Sequence, residues 1–245
     1  MAAEPASSCS SDGQIAPTAL LERFINADCA DCWSDEPPAP AAGAVALDWI
    51  APGPQGDDGA LSAAARRGAL QRLQAIGRPL PDRMLDLGST LRPVPTGSLP
   101  AAPIGDASAR PASEGRSAPE LPSQTNRSAP ELRVAHGLPV GNYIGTSIEL
   151  KGAAPGRWRV WLVLVETLPP GLEGSPVERN LVRNSLQFEW VVPAHADPKQ
   201  TFKELRPMQI PAGAQPERLN LVGWIEDANG PAATVGAIAR SRCLP

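Results

Sequence analysis

Lysine is almost missing from this chain: Lys151, Lys199 and Lys203 are the only three in 245 residues. Arginine carries nearly all the positive charge, and the balance is still acidic, at a formal net charge of -4. A nucleic-acid partner needs a basic surface, so that class of function is excluded. Long apolar runs are missing too. The longest, VWLVLV at 160–165, is strand-sized, far short of the roughly 18 residues needed to span a bilayer. No membrane span is expected. The opening MAAEPASSCSSDGQ has neither the basic n-region nor the apolar h-region of an intact signal peptide. It reads instead as the small, polar start of a mature secreted protein. Histidine is limited to His136 and His195, which leaves little for a metal site. GNYIG and GLEGSPVER lack phosphate-loop spacing. Glu166, Glu173 and Glu178 cluster in sequence, and the simplest reading is a solvated hairpin loop. No cofactor is implied.

What is abundant is proline, 29 residues and more than twice the average usage, together with alanine and glycine. That bias suggests a GC-rich bacterial source. The prolines concentrate between 92 and 130, where RPVPTGSLPAAPIGDASARPASEGRSAPELPSQTNRSAP has no aromatic residue and no apolar cluster. Such a stretch cannot offset the entropy cost of ordering. It reads as a linker or mobile loop between a first part, 1–91, and a second, 131–245. RSAPEL at 116–121 recurs at 127–132, too short a duplication for a repeat architecture.

The four cysteines are Cys9, Cys29, Cys32 and Cys243. An even count, with one close pair and one pair at the two ends, is what two disulfides would look like. Cys9–Cys243 would close a loop of more than 200 residues, worth about 5 kcal/mol by the chain-entropy argument. Cys29–Cys32 would be the second bridge. Disulfides imply an oxidising, extracytoplasmic compartment.

In the first part, PTALLERFINAD at 17–28, with Ala19, Leu20, Leu21, Phe24 and Ile25 as its apolar residues, and AVALDWI at 44–50 read as strands. Pro37, Pro38 and Pro40 forbid a long helix between them. A helix is expected from Asp58 to Gly77, with Leu61, Ala65, Ala69, Leu73 and Ile76 as its apolar stripe and Arg66, Arg67 and Arg72 on the wet side. After Glu131 the pattern is all-β, with strand-length runs, an alternation at Trp158, Val160, Leu162 and Leu164, and a hairpin signal at Asn229-Gly230. Trp158, Trp161, Trp190 and Trp224 read as core.

Strand, CxxC, strand, helix is the order at the start of a thioredoxin-like domain. There, a first cysteine at a helix N-terminus has a lowered pKa and attacks, and the second resolves the mixed disulfide. Those roles would fall to Cys29 and Cys32. Asp28 and Asp31 oppose them, because negative charge beside a thiolate raises its pKa. The residues ALLERFINADCADCW, with AVALDWI downstream, resemble a family of secreted or periplasmic thioredoxin-like proteins. Its signature runs E-L-F-T-S-x-G-C-x-x-C-P-P, and Glu22, Phe24, Cys29 and Cys32 match it. NLVR at 180–183 resembles an element of that family's C-terminal β extension. Trp33 and Ile25-Asn26 depart from the signature. The resemblance implies a cis-proline facing the dithiol. Pro130 is the candidate, with Pro119 as its duplicate, and His136 would then lie near the dithiol.

The expected fold is therefore α+β: a reduced thioredoxin-like N-terminal part followed by an antiparallel β-sheet or sandwich. The expected function is a secreted or periplasmic, non-catalytic binding or structural protein in which Cys29–Cys32 is a static clip and the β part contacts a protein partner. The alternative is a thiol–disulfide oxidoreductase with Cys29 as nucleophile, Cys32 as resolving thiol and a dithiol exchange partner.

Overall fold

The computed structural model describes residues 9–91, 130–197, 199–230 and 234–243. A two-residue strand, β1 (Cys9–Ser10), precedes β2 (Ala19–Asn26), whose last five residues are all buried. A helix of five residues, α1 (Ala30–Ser34), follows, stopped by the prolines as the sequence requires. Next come β3 (Ala44–Ala51), α2 (Arg67–Ala75) and β4 (Met84–Thr90). The second part contributes β5 (Glu131–Val140), β6 (Tyr143–Lys151), β7 (Gly156–Leu168), β8 (Arg179–Val192), β9 (Thr201–Gln209), β10 (Leu219–Asp227) and β11 (Val235–Arg240).

These strands make two sheets. One has the order β1-β5-β6-β9 and is antiparallel throughout. The other has seven strands, β11-β10-β7-β8-β3-β2-β4, with β3 parallel to both β2 and β8. Alternation along β7 supplies both of its faces. Trp158, Val160, Leu162 and Leu164 enter the core between the sheets, where Ile148, Leu150, Met208 and Leu221 meet them. Trp161, Val163 and Val165 point the other way, into a second core closed by Ala69 and Leu73 of α2 and by Ile76 just past its end. The sheets approach tightly at Gly223 of β10. A Cβ there would sit 2.7 Å from a Val134 methyl and 2.9 Å from one of Ile148, so only glycine fits without a shift.

This architecture corrects the expected α+β class. Among the described residues two short α-helices stand against eleven strands, and the molecule is a β-sandwich, not a reduced thioredoxin-like domain joined to a β part. Strands β2, β3 and β4 do not form a sheet of their own. They extend the one built by β7, β8, β10 and β11. The expected helix from Asp58 is also shorter. Two 3-10 turns, Gly56–Asp58 and Ser62–Ala64, precede α2, which starts only at Arg67. Its end is as expected: Gly77 takes φ +66°, and the Arg78 amide donates to the Leu73 carbonyl at 2.9 Å.

Arg72, expected on the wet side of α2, is fully buried. Its Nη2 lies 2.6 Å from both Glu22 Oε2 and Glu226 Oε1. Its guanidinium carbon stands 4.9 and 5.2 Å from the ring centroids of Trp161 and Trp224, which stack on each other. Glu166 is likewise no loop residue. It is buried in β7, where Oε2 accepts from Arg183 Nε at 2.7 Å and Oε1 accepts from Arg218 Nη2 at 2.7 Å. The segment expected as a linker, 92–130, falls almost wholly outside the described residues. No helix among those described is long and apolar enough to cross a membrane.

Candidate functional site

Cys29 and Cys32 sit where β2 runs out. The Asn26 side chain shapes the exit: its Oδ1 accepts from the Asp28 amide at 2.9 Å and its Nδ2 donates to the Pro81 carbonyl at 3.0 Å. The Cys29 amide then donates to the Asn26 carbonyl at 3.0 Å, and α1 begins one residue later. The two cysteines are joined as a disulfide. They are 8% and 5% exposed. Ile25, Ile50, Leu168 and Leu181 surround them, with Leu61 and Leu172 at the margin. The bridge is therefore a hydrophobic core element more than a surface group.

Trp33 and Arg179 form the lid over this core. Trp33 Nε1 donates to the Glu173 carbonyl at 2.8 Å. Arg179 is fully buried, and its guanidinium carbon lies 5.0 Å from the Trp33 ring centroid. Its Nη2 donates to the carbonyls of Trp33 and Asp35, both at 2.9 Å, and its Nε donates to Ser175 Oγ at 3.0 Å. Its Nη1 lies 3.3 Å from Asp48 Oδ1. Asp48 Oδ2 accepts from the Asn180 amide at 3.0 Å. Burial pushes the Asp48 carboxyl up from its ordinary range, while Arg179, the Asn180 amide and Arg23 pull the other way. One arginine thus ties the end of α1 to β3 and β8, closing the chain over the disulfide.

The flanking carboxylates differ. Asp31 is exposed. Asp28 is half-buried: Oδ2 accepts from the Gln55 amide at 3.1 Å, while the buried Oδ1 has no partner among the described residues. A buried carboxylate oxygen so close in sequence to Cys29 disfavours a thiolate there.

Pro130 is not brought to this site. It precedes β5, which pairs with β1 and β6 in the four-stranded sheet and not with β2. No peptide bond among the described residues is cis, and the bond before Pro130 joins it to Ala129, outside them. The competing Pro119 also lies outside them. His136 is placed elsewhere as well. It sits in β5 directly opposite Cys9 of β1, and one of its ring nitrogens lies within 4.8 Å of the sulfurs of Cys9 and Cys243. Those two cysteines form the second disulfide. His136 Nδ1 is 3.1 Å from the Gly137 carbonyl, while the buried Nε2 has no partner among the described residues. Burial pushes its pKa down. His195 is exposed.

The sequence reading missed Arg179, Asp48 and Arg240. The last lies beside the Cys9–Cys243 bridge, in a cleft of about 470 Å³ lined by Arg218, Arg240, Arg242, Glu178 and Glu217. No signal short of the fold unites these residues, because they come from different loops and strand ends.

No protein-family model matches the chain, and no curated protein matches it. Among solved structures it is similar to a domain of the outer membrane lipoprotein Omp28 from Porphyromonas gingivalis, at 11% identity and a TM-score of 0.31. That match covers 48% of this chain and 90% of the other.

Proposed function

We propose that the protein is an extracytoplasmic, non-catalytic binding protein in which Cys29–Cys32 is a static clip. The observation that carries this reading is the burial of both cysteines in an apolar cluster that includes Trp33, itself stacked by Arg179. Disulfide exchange requires in-line approach of an external thiolate to one sulfur, and a bridge closed into a hydrophobic core offers no such approach. The half-buried carboxylate of Asp28 adds a penalty to any thiolate left behind. Two disulfides support an oxidising compartment. The placement is the periplasm or outside the cell.

The test is the reduction potential of Cys29–Cys32, read by alkylation and mass spectrometry across a glutathione series in a Cys9→Ser, Cys243→Ser background. The expected value is below about -300 mV, the range of structural bridges. A value between about -120 and -270 mV, where exchange catalysts lie, would overturn the clip. It would restore Cys29 as a nucleophile resolved by Cys32.

A further inference from the structure

The cleft beside the Cys9–Cys243 bridge holds a positive charge that makes no ion pair among the described residues. Arg240, at the end of β11, is half-buried, and its bonds run across three neighbouring strands. Nε donates to Asn220 Oδ1 of β10 at 3.3 Å. Nη2 donates to Thr167 Oγ1 of β7 at 3.3 Å and to Asn180 Oδ1 of β8 at 3.1 Å. All three acceptors are neutral. The acceptors are themselves linked, with Thr167 Oγ1 donating to Asn180 Oδ1 at 3.0 Å and accepting from Asn220 Nδ2 at 3.0 Å. The guanidinium is thus held in one orientation before any ligand arrives, and Nη1 takes part in none of these bonds.

The neighbouring charges set the sign of the site. Arg218 is neutralised by Glu166, which accepts from its Nε and Nη2 at 2.9 and 2.7 Å. Arg240 and the exposed Arg242 have no carboxylate within 4 Å among the described residues. Burial and the charge of Arg242 lower the pKa of Arg240, and the charge of Glu178, beyond ion-pair distance, offsets them only in part, so the folded protein holds this cation at a cost that a bound anion would relieve. The same cleft carries Glu178 and Glu217, exposed and without an ion-pair partner among the described residues. Two carboxylates in the wall repel a multiply charged anion such as a phosphate dianion. They suit a ligand that is negative at one end and positive at the other. The cleft, about 470 Å³ and open to solvent, has room for a small molecule laid along the surface.

We infer that this cleft is a binding site for a zwitterionic amino acid or short peptide, with the ligand carboxylate on Arg240 and Arg242 and its ammonium facing Glu178 and Glu217. A planar guanidinium fork matches a carboxylate in geometry as well as in charge. Pro169, exposed at the cleft's edge, gives it an apolar surface for a side chain. The inference rests on the binding reading above and names the ligand class.

The experiment is calorimetric titration of the full chain, with both disulfides intact, against alanyl-leucine, its C-terminal amide and its N-acetyl form. Alanyl-leucine is expected to bind saturably, and each capped form at least tenfold more weakly. Arg240→Gln is expected to weaken alanyl-leucine at least tenfold. Arg242→Gln, which changes an exposed side chain and keeps the backbone bonds to Ser10, is expected to weaken it at least threefold. Absence of saturable binding overturns the proposal. Equal binding of the amide, or unchanged affinity in Arg242→Gln, overturns the carboxylate pole; equal binding of the N-acetyl form overturns the ammonium pole. None of these outcomes touches the potential of Cys29–Cys32, so failure here and failure of the clip are separate results.

Discussion

Arg179 stands with its guanidinium carbon 5.0 Å from the ring centroid of Trp33 and donates to the carbonyl of that same residue at 2.9 Å. Stacking and hydrogen bonding to one residue, with Asp48 on its other side, make it the fastener of the Cys29–Cys32 core. Arg179→Ala leaves Asp48 buried, with Arg23 at 4.0 Å as its remaining charged neighbour. Breaking a buried pair in this way costs about 3–5 kcal/mol, and urea denaturation should read a loss of that size. Once the bridge is reduced, Cys32 should also alkylate faster than in the parent. Arg179→Lys should recover less than half of the stability, because one ammonium cannot reach Trp33, Asp35, Ser175 and Asp48 together.

Arg72 predicts a different pattern. Arg72→Met removes the cation between Glu22 and Glu226 and leaves two buried carboxylates facing each other. The expected loss is again about 3–5 kcal/mol. Replacing all three residues, Arg72→Met with Glu22→Gln and Glu226→Gln, should recover most of it, since no buried carboxylate is then unpaired and the one charge left beside them, Arg159, is part-exposed. A triple variant no more stable than the single one would mean that Trp161 and Trp224 need the guanidinium itself.

His136 gives a pH dependence. Burial holds its folded pKa below the ordinary 6.5. The unfolded chain therefore takes up a proton near 6.5 while the folded chain does not, and acidification through that interval favours unfolding. The stability present above pH 6.5 is lost progressively as pH falls toward the folded pKa. Denaturation midpoints at pH 7.5, 6.5 and 5.5 should fall in that order, and His136→Gln should flatten this part of the slope.

The terminal bridge is the last case. Cys9 and Cys243 are 234 residues apart in sequence, and the chain-entropy argument assigns such a loop about 5 kcal/mol. Cys9→Ser with Cys243→Ser should lower the urea midpoint accordingly and leave the circular dichroism of the sheets unchanged, because β1 is only two residues long. Loss of the sheet signal would show that the bridge is needed for assembly and not only for stability.

Much of this structure was legible in the sequence, and the failures have physical causes. Strands β2 and β3, the brevity of α1 and the alternation along β7 are local patterns, and they read correctly. The pairing of Cys9 with Cys243 followed from parity and position. The fold class did not, because strand, CxxC, strand, helix is a local order, and which sheet those strands join is decided by β8, some 130 residues later. Arg72 carried a signal that was passed over: it lies three residues after Ala69 and four before Ile76, on the same helical face as both. The partners of Arg179 and Arg240 had no local signature, since Asp48 is 131 residues from one and Asn180 is 60 from the other.

The Cys9–Cys243 bridge also gives the molecule a mechanical property. A pulling force applied at Cys9 and Cys243 passes directly through one sulfur–sulfur bond. The chain between them, residues 10–242, lies outside the load path, so neither sheet is sheared and no strand is peeled. Reduced, the same pull falls first on the two backbone hydrogen bonds between Ser10 and Arg242, and then on β11 at the edge of the seven-stranded sheet. The bridge thus decides whether tension at the ends of the chain is felt by the fold at all.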